Sequence, residues 1–464
     1  MAIGEDGGAA GVDAGFETLP PPTTWRETLR HLGPGIIVTG SIVGSGELIV
    51  TTGLGAHAGF ILLWLIVIGC FLKVFVQVEL GRYTISEGVD MLRTMDSIPG
   101  PRKVVSWLLW LWAVMFVSLI FQLAGILDGA AEVISLLGIG GSRSAIAWGV
   151  AALSAILLVS GRYRFIERTT TLMVFGFTIL TVAAVLALQW TPSALSPADI
   201  LEGVQFKLPD NFTWAFAAFG ITGVGASELI YYPTWCLEKG YARHVGPRDG
   251  SLAWEIRAKG WLRVMQVDAW VSFVVYTVAT AAFYLLGAAV LHGDDPATRR
   301  TVSNDEMIFT LSGIYRESFG APGLWVFLVG AFFVLFSTFF VATASNARLL
   351  ADGLSVFKVV RYNSSGARLT VVRAACILLP VLNLVILLWL GGKPVTLVFV
   401  GAFGQAILLP FLGLVAVHVR HRKTHPALRP GPVWTVFLWL SFLSMSAIGL
   451  YKAYDEIART VAAP

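Results

Sequence analysis

Two short stretches of this sequence join small residues to an acid: Gly44-Ser45-Gly46-Glu47-Leu48-Ile49 and Gly225-Ala226-Ser227-Glu228-Leu229-Ile230. Four of the six positions are identical, and the other two exchange among Gly, Ala and Ser. Both stretches lie inside long apolar runs. A carboxylate near mid-membrane costs roughly 2.5–3.5 kcal/mol on insertion scales, so it persists where it pairs, takes a proton or binds a cation. Neither stretch contains Lys or Arg, which makes a bound cation or proton the simplest partner. The glycines nearby (Gly40, Gly44, Gly46; Gly220, Gly223, Gly225) each weaken a helix by about 1 kcal/mol relative to Ala. A helix can open at such a point and offer backbone groups to a ligand, provided the irregular backbone faces protein or a water-filled cavity. The candidate substrate-binding residues are therefore Gly44, Ser45, Gly46, Glu47, Gly225, Ala226, Ser227 and Glu228. Two blander accounts compete: close helix packing for the glycines, and protonated glutamates bonded to neighbouring helices for the acids.

The elements that carry these residues are membrane-spanning helices. The chain is 56% hydrophobic and 13% charged, against about 25% charged for a soluble domain, and its mean hydropathy is +0.74. Eleven apolar spans can be marked, near 33–57, 60–82, 104–127, 143–160, 169–189, 212–237, 264–290, 321–346, 370–391, 395–418 and 432–452. With the N-terminus inside, 24 of the 33 Lys and Arg fall on the inner side, 8 fall outside and Lys73 lies within a span. That excess is what the positive-inside rule requires, and it predicts an N-in, C-out topology. It also accounts for the net charge of +4 without invoking nucleic acid. The expected surroundings are a lipid bilayer, with a small ion or small molecule as substrate; oligomeric state is open.

The first acidic stretch rides on an outward-running helix and the second, five spans later, on an inward-running one. This implies an inverted-topology repeat of spans 1–5 against 6–10. The expected organisation is a disordered cytosolic tail at 1–24, a first five-helix repeat at 25–190, an external linker at 191–211, a second repeat at 212–424, and an eleventh helix with the C-terminus at 425–464. An inverted repeat favours alternating access over a channel. Enzyme chemistry is not expected: there is no HExxH, no GxSG and no mid-span His. Cys70, Cys236 and Cys376 lie in apolar runs without CxxC pairing and read as small buried hydrophobes. No cofactor is expected. Lys73 either snorkels to the inner interface or is a fixed cation standing in for a coupling ion. Glu79 and Arg82 read as an exposed i,i+3 pair of little energetic weight, and Asp294–Arg300 with Asp305 and Glu306 as a solvated external loop.

The sequence resembles the Nramp divalent-metal transporters, which have the LeuT-type fold. Leu32-Gly33-Pro34-Gly35 and Gly44-Ser45-Gly46-Glu47 stand where that family has GPG and DPGN. Gln77, Leu80 to Arg82, Thr84 and Gly88 are similar to the end of its second helix, Ala131-Glu132-Val133-Ile134 to its AEVI, and Leu409-Pro410-Phe411 to its tenth-helix LPF. The likeness spans roughly residues 30–420. It implies an all-α membrane protein of LeuT-type fold with 11 transmembrane helices, an inverted 5+5 repeat and discontinuous helices 1 and 6. Asp128, Glu132 and Asp268 become candidates for a proton or cation route, with capping of helix ends as the competing role.

The departures carry as much information. The family's metal-binding Asp is Gly44 here and its Asn is Glu47. Its MPH is absent, the Met position falling on Ser227 and the Pro on Glu228. Gln405, five residues before Pro410, does not match the spacing of the tenth-helix Gln. Losing the thioether weakens selection for softer metals, whereas carboxylate, hydroxyl and carbonyl oxygens suit Mg²⁺, Mn²⁺ and Ca²⁺. The expectation is a secondary transporter with Glu47 and Glu228 as metal ligands, carrying a hard divalent cation, linked to protons, in a bacterial inner membrane. The alternative is an amino-acid-like organic-solute carrier on the same fold, with the glutamates as proton carriers.

Overall fold

The computed structural model describes residues 18–44, 46–159, 163–209, 212–292, 307–391 and 393–462. Ser45, the 294–306 loop and residues 1–17 of the tail lie outside these. In chain order the helices are α1 (Trp25–His31), α2 (Pro34–Ile42), a π-helical turn (Gly46–Thr51), α3 (Thr52–Ala58), α4 (Leu63–Glu87), α5 (Met91–Asp96) and α6 (Trp107–Leu136). Then come α7 (Arg143–Val159), α8 (Tyr163–Ala187), α9 (Pro197–Glu202), α10 (Thr213–Ile221), α11 (Ala226–Lys239), α12 (Tyr241–Val245) and α13 (Leu252–Leu291). The chain closes with α14 (Met307–Val356), α15 (Ser365–Leu390), α16 (Pro394–Arg422) and α17 (Pro432–Ala462). Apart from a two-residue β-ladder, Arg102–Lys103 against Val105–Ser106, the described regular structure is helical.

Each of the eleven expected apolar spans falls on helix, but they are not equivalent. Among the described residues nine helices are long and apolar enough to cross a membrane, α10 and α11 counting together as one. The first expected span is a pair, α2 and the segment Gly46–Ala58, bent by 42° at its break. The fourth is the shorter apolar α7 of 17 residues.

The helix α13 runs 40 residues, about 60 Å at 1.5 Å per residue, twice a bilayer's hydrocarbon thickness. Its N-terminal third carries Glu255, Arg257, Lys259 and Arg263 ahead of the apolar stretch. Residues 18–24 of the expected disordered tail run across it: the Trp261 indole N–H donates to the Leu19 carbonyl at 3.0 Å, and Leu19 N–H to the His244 carbonyl at 3.2 Å.

Glu79 and Arg82 are not exposed. Both are buried, 3.3 Å apart, because the segment leading into α17 folds over them. The Trp434 indole donates to Glu79 at 3.2 Å, and Arg82 donates to the Leu428 carbonyl at 3.2 Å. An i,i+3 spacing shows which residues face each other on one helix but not which helix covers them. Breaking a buried pair leaves an uncompensated charge, a loss of about 3–5 kcal/mol. Glu79→Gln is therefore expected to lower the melting temperature of the purified protein clearly, while a change at the exposed pair Lys259–Glu255 leaves it unmoved.

All three cysteines are buried and free.

Candidate functional site

Both glycine-bearing spans break. The helix α2 ends at Ile42 and regular structure resumes at Gly46; α10 ends at Ile221 and α11 starts at Ala226. Gly223 has φ 62, and a Cβ there would lie 2.7 Å from the Cys70 sulfur, so the turn needs glycine on both conformational and steric grounds. At Gly44 the space a Cβ would take is filled by the Thr338 hydroxyl. The position where the resemblance puts a metal-binding acid thus has no room for a side chain while Thr338 stands.

Each break presents its glutamate to hydroxyl groups. Glu47, fully buried, accepts from Thr280 of α13 at 2.6 Å and from Thr51 at 2.9 Å. Glu228 lies in the first turn of α11, where the helix dipole favours an anion. It accepts from Ser41 of α2 at 2.8 Å, a side-chain bridge between the two broken spans. The Ser227 hydroxyl lies 2.8 Å from the second Glu228 oxygen and 2.7 Å from Gln405 Oε1. The Ser227 backbone N–H donates to that same Gln405 oxygen at 3.2 Å, and Gln405 Nε2 donates to Gln122 at 3.0 Å. One hydroxyl proton cannot serve two acceptors. The set is complete when Glu228 itself carries a proton and passes the bond along, or when a cation sits against the carboxylate.

The structure adds a cation that the two motifs lack. Lys73 of α4 does not snorkel; it is 1% exposed, and its ammonium donates to the carbonyls of Phe219 and Thr222 at the end of α10. Its charge acts on both Glu47 and Glu228. Ser41, Thr280, Gln122, Gln405 and Lys73 therefore join the site alongside Glu47, Ser227 and Glu228. No hydrogen bond links the two carboxylates to each other among the described residues. No group of three or more His, Cys, Asp or Glu side chains forms a metal cluster among them either. A metal ion here would be held by two carboxylates supplemented by hydroxyl and carbonyl oxygens.

Of the three acids weighed for a proton or cation route, Glu132 and Asp268 accept amides at helix starts, and Asp128 pairs with an arginine. Arg143 grips Asp128 at 2.7 and 2.9 Å and Glu132 at 3.1 Å, while Glu132 also accepts the Ile308 and Phe309 amides at the start of α14. Asp268 is buried and accepts the amides of Gly33 at 2.8 Å and Gly35 at 2.6 Å, with the Tyr232 hydroxyl at 3.1 Å. It caps the start of α2, where Pro34 has no N–H to offer.

Comparison with known proteins gives a consistent picture. The natural resistance-associated macrophage protein-like family matches residues 35–455. The divalent metal cation transporter MntH of Yersinia enterocolitica is 23% identical over 269 residues, which cover 58% of this chain and 63% of that one. In fold, the manganese transporter of Eremococcus coleocola superposes with a TM-score of 0.68 at 15% identity, covering 96% of this chain and 90% of that one. Mhp1, a nucleobase-cation-symport-1 family transporter solved with bromovinylhydantoin bound, gives 0.58 at 16% identity, covering 93% and 91%.

Proposed function

The chain belongs to the natural resistance-associated macrophage protein-like (Nramp) family, and on that premise we propose that it is a secondary transporter of a divalent metal cation, binding its cargo between the two helix breaks. The LeuT-type fold supports alternating access around a midplane site between inverted repeats. One observation carries the reading: two buried carboxylates, each on a broken helix and each faced by hydroxyl oxygens, with Ser41 of one break bonded to Glu228 of the other. Such an all-oxygen set suits Mn²⁺, Mg²⁺ and Ca²⁺. The names of the relatives, a divalent metal cation transporter and a manganese transporter, favour Mn²⁺ among these. Glu228 is the group assigned to proton linkage, since its Ser227–Gln405 relay has a place for one more proton. The residues proposed to line the site are those of the two breaks, Gly44, Gly46 and Glu47 with Gly225, Ala226, Ser227 and Glu228; Ser45 belongs with them by sequence.

The asymmetry of Lys and Arg supports a cytosolic N-terminus and an external C-terminus, in the inner membrane of a bacterium such as those that house the relatives.

The buried Lys73 favours a second reading, an organic-solute carrier, because an ammonium beside two acids cancels part of the charge that attracts a metal. Flux into proteoliposomes separates the two. The metal reading expects saturable, counterflow-competent Mn²⁺ uptake that an amino-acid panel does not inhibit. Uptake of an organic solute with no flux of Mn²⁺, Mg²⁺ or Ca²⁺ at any pH would overturn it.

A further inference from the structure

The ammonium of Lys73 sits where a helix stops. Because the chain turns at Gly223, the last carbonyls of α10 have no N–H partner further along their own helix, and that end carries the negative pole of the helix dipole. Lys73 supplies the missing partners, donating to the Phe219 carbonyl and, at 2.8 Å, to the Thr222 carbonyl. Its nitrogen also lies 4.4 Å from the centroid of the Phe219 ring. An ammonium has three N–H groups; two carbonyls and an aromatic face occupy all of them. Open carbonyls at the C-terminal end of a half-helix are the groups that hold a coupling cation in broken-helix transporters.

We propose that Lys73 is a tethered cation: its side chain permanently fills a carbonyl site at the end of α10 that would otherwise need a free co-ion, and so keeps the break between α10 and α11 open without an alkali cation. One turn before Lys73 on α4, Gly69 leaves room for the Phe219 ring, which a Cβ there would meet at 3.5 Å. A surface lysine whose stem merely covers apolar neighbours would keep its head in water; here the whole residue, head included, is buried.

Truncation to alanine removes the equivalent of n-propylammonium, which makes chemical rescue the test. The space vacated by the lysine stem adjoins a narrow apolar cleft lined by Leu54, Ile66, Phe219 and Thr222, which gives an added propyl chain an apolar seat. The melting temperature of the purified full chain is the readout, so the result does not depend on which cargo is carried. Lys73→Ala is expected to melt about 5 °C lower and to recover in n-propylammonium chloride or NaCl but not in n-propanol, the wild type being indifferent to all three. Lys73→Met, of similar length without charge, is expected to show the loss and no recovery with n-propylammonium. Should Lys73→Ala be recoverable from membranes only in the presence of n-propylammonium, that too supports the assignment. Melting of Lys73→Met at the wild-type temperature, or a Lys73→Ala loss that no cation reverses, would overturn it.

Discussion

Replacing Glu228 by glutamine is expected to reduce Mn²⁺ uptake into proteoliposomes at least about tenfold, equivalent to about 1.4 kcal/mol of lost binding or barrier stabilisation. Glutamine keeps a carbonyl oxygen that can still accept from Ser41 at the position Glu228 Oε1 holds now, so the fold should survive. What disappears is the negative charge at the start of α11 and the capacity to carry a proton toward Ser227 and Gln405. Glu47→Gln is expected to lose uptake to a similar extent, with Thr51 and Thr280 still able to donate to the remaining oxygen. Uptake assays on both variants, at matched amounts of reconstituted protein, check this. Full transport by either one would remove that acid from the site.

Asp268→Ala is expected to have a large effect on stability. The carboxylate accepts the amides of Gly33 and Gly35, and each buried donor left unsatisfied costs about 1–3 kcal/mol; the Tyr232 hydroxyl beside it keeps the Met265 carbonyl as acceptor at 2.9 Å. The combined loss should reach about 3–5 kcal/mol, visible as early melting in detergent. Transport should fall with it, because the helix that loses its cap also carries Ser41 toward Glu228. Asp268→Asn, which keeps one acceptor oxygen, is expected to fall between. If Asp268→Ala melted like the wild type, the capping role would be wrong.

The sequence revealed the two acidic stretches because helix-breaking glycine and an acid inside an apolar run are local conflicts, readable without knowing any neighbour. Spacing then showed that the stretches belong to oppositely directed spans, and the fold bears out the inverted repeat and discontinuous helices. The partners of the acids were not legible in the same way. Thr280 reaches Glu47 across 233 positions, and Ser41 reaches Glu228 across 187; packing of α2, α11 and α13 decides both. For Lys73 the sequence left snorkelling and a fixed internal cation side by side, because distance along one helix says how far an interface lies, whereas the carbonyls it serves are 146 and 149 residues away. The burial of Glu79 and Arg82 depends likewise on residues 428 and 434, which no periodicity within α4 reports. Gln405 had a spacing that argued against it, yet it meets Ser227 directly: its place follows from how α16 packs against α11, not from its offset to Pro410.

A double-mutant cycle on Mn²⁺ affinity, measured by calorimetry on wild type, Glu47→Gln, Glu228→Gln and the double variant, tests the shared site most directly. If the two acids grip one ion, each single change weakens binding at least about tenfold, and the double variant falls short of the product of the two losses. Losses that simply multiply, within about 0.3–0.5 kcal/mol, would mean the two acids do not act on a common cargo.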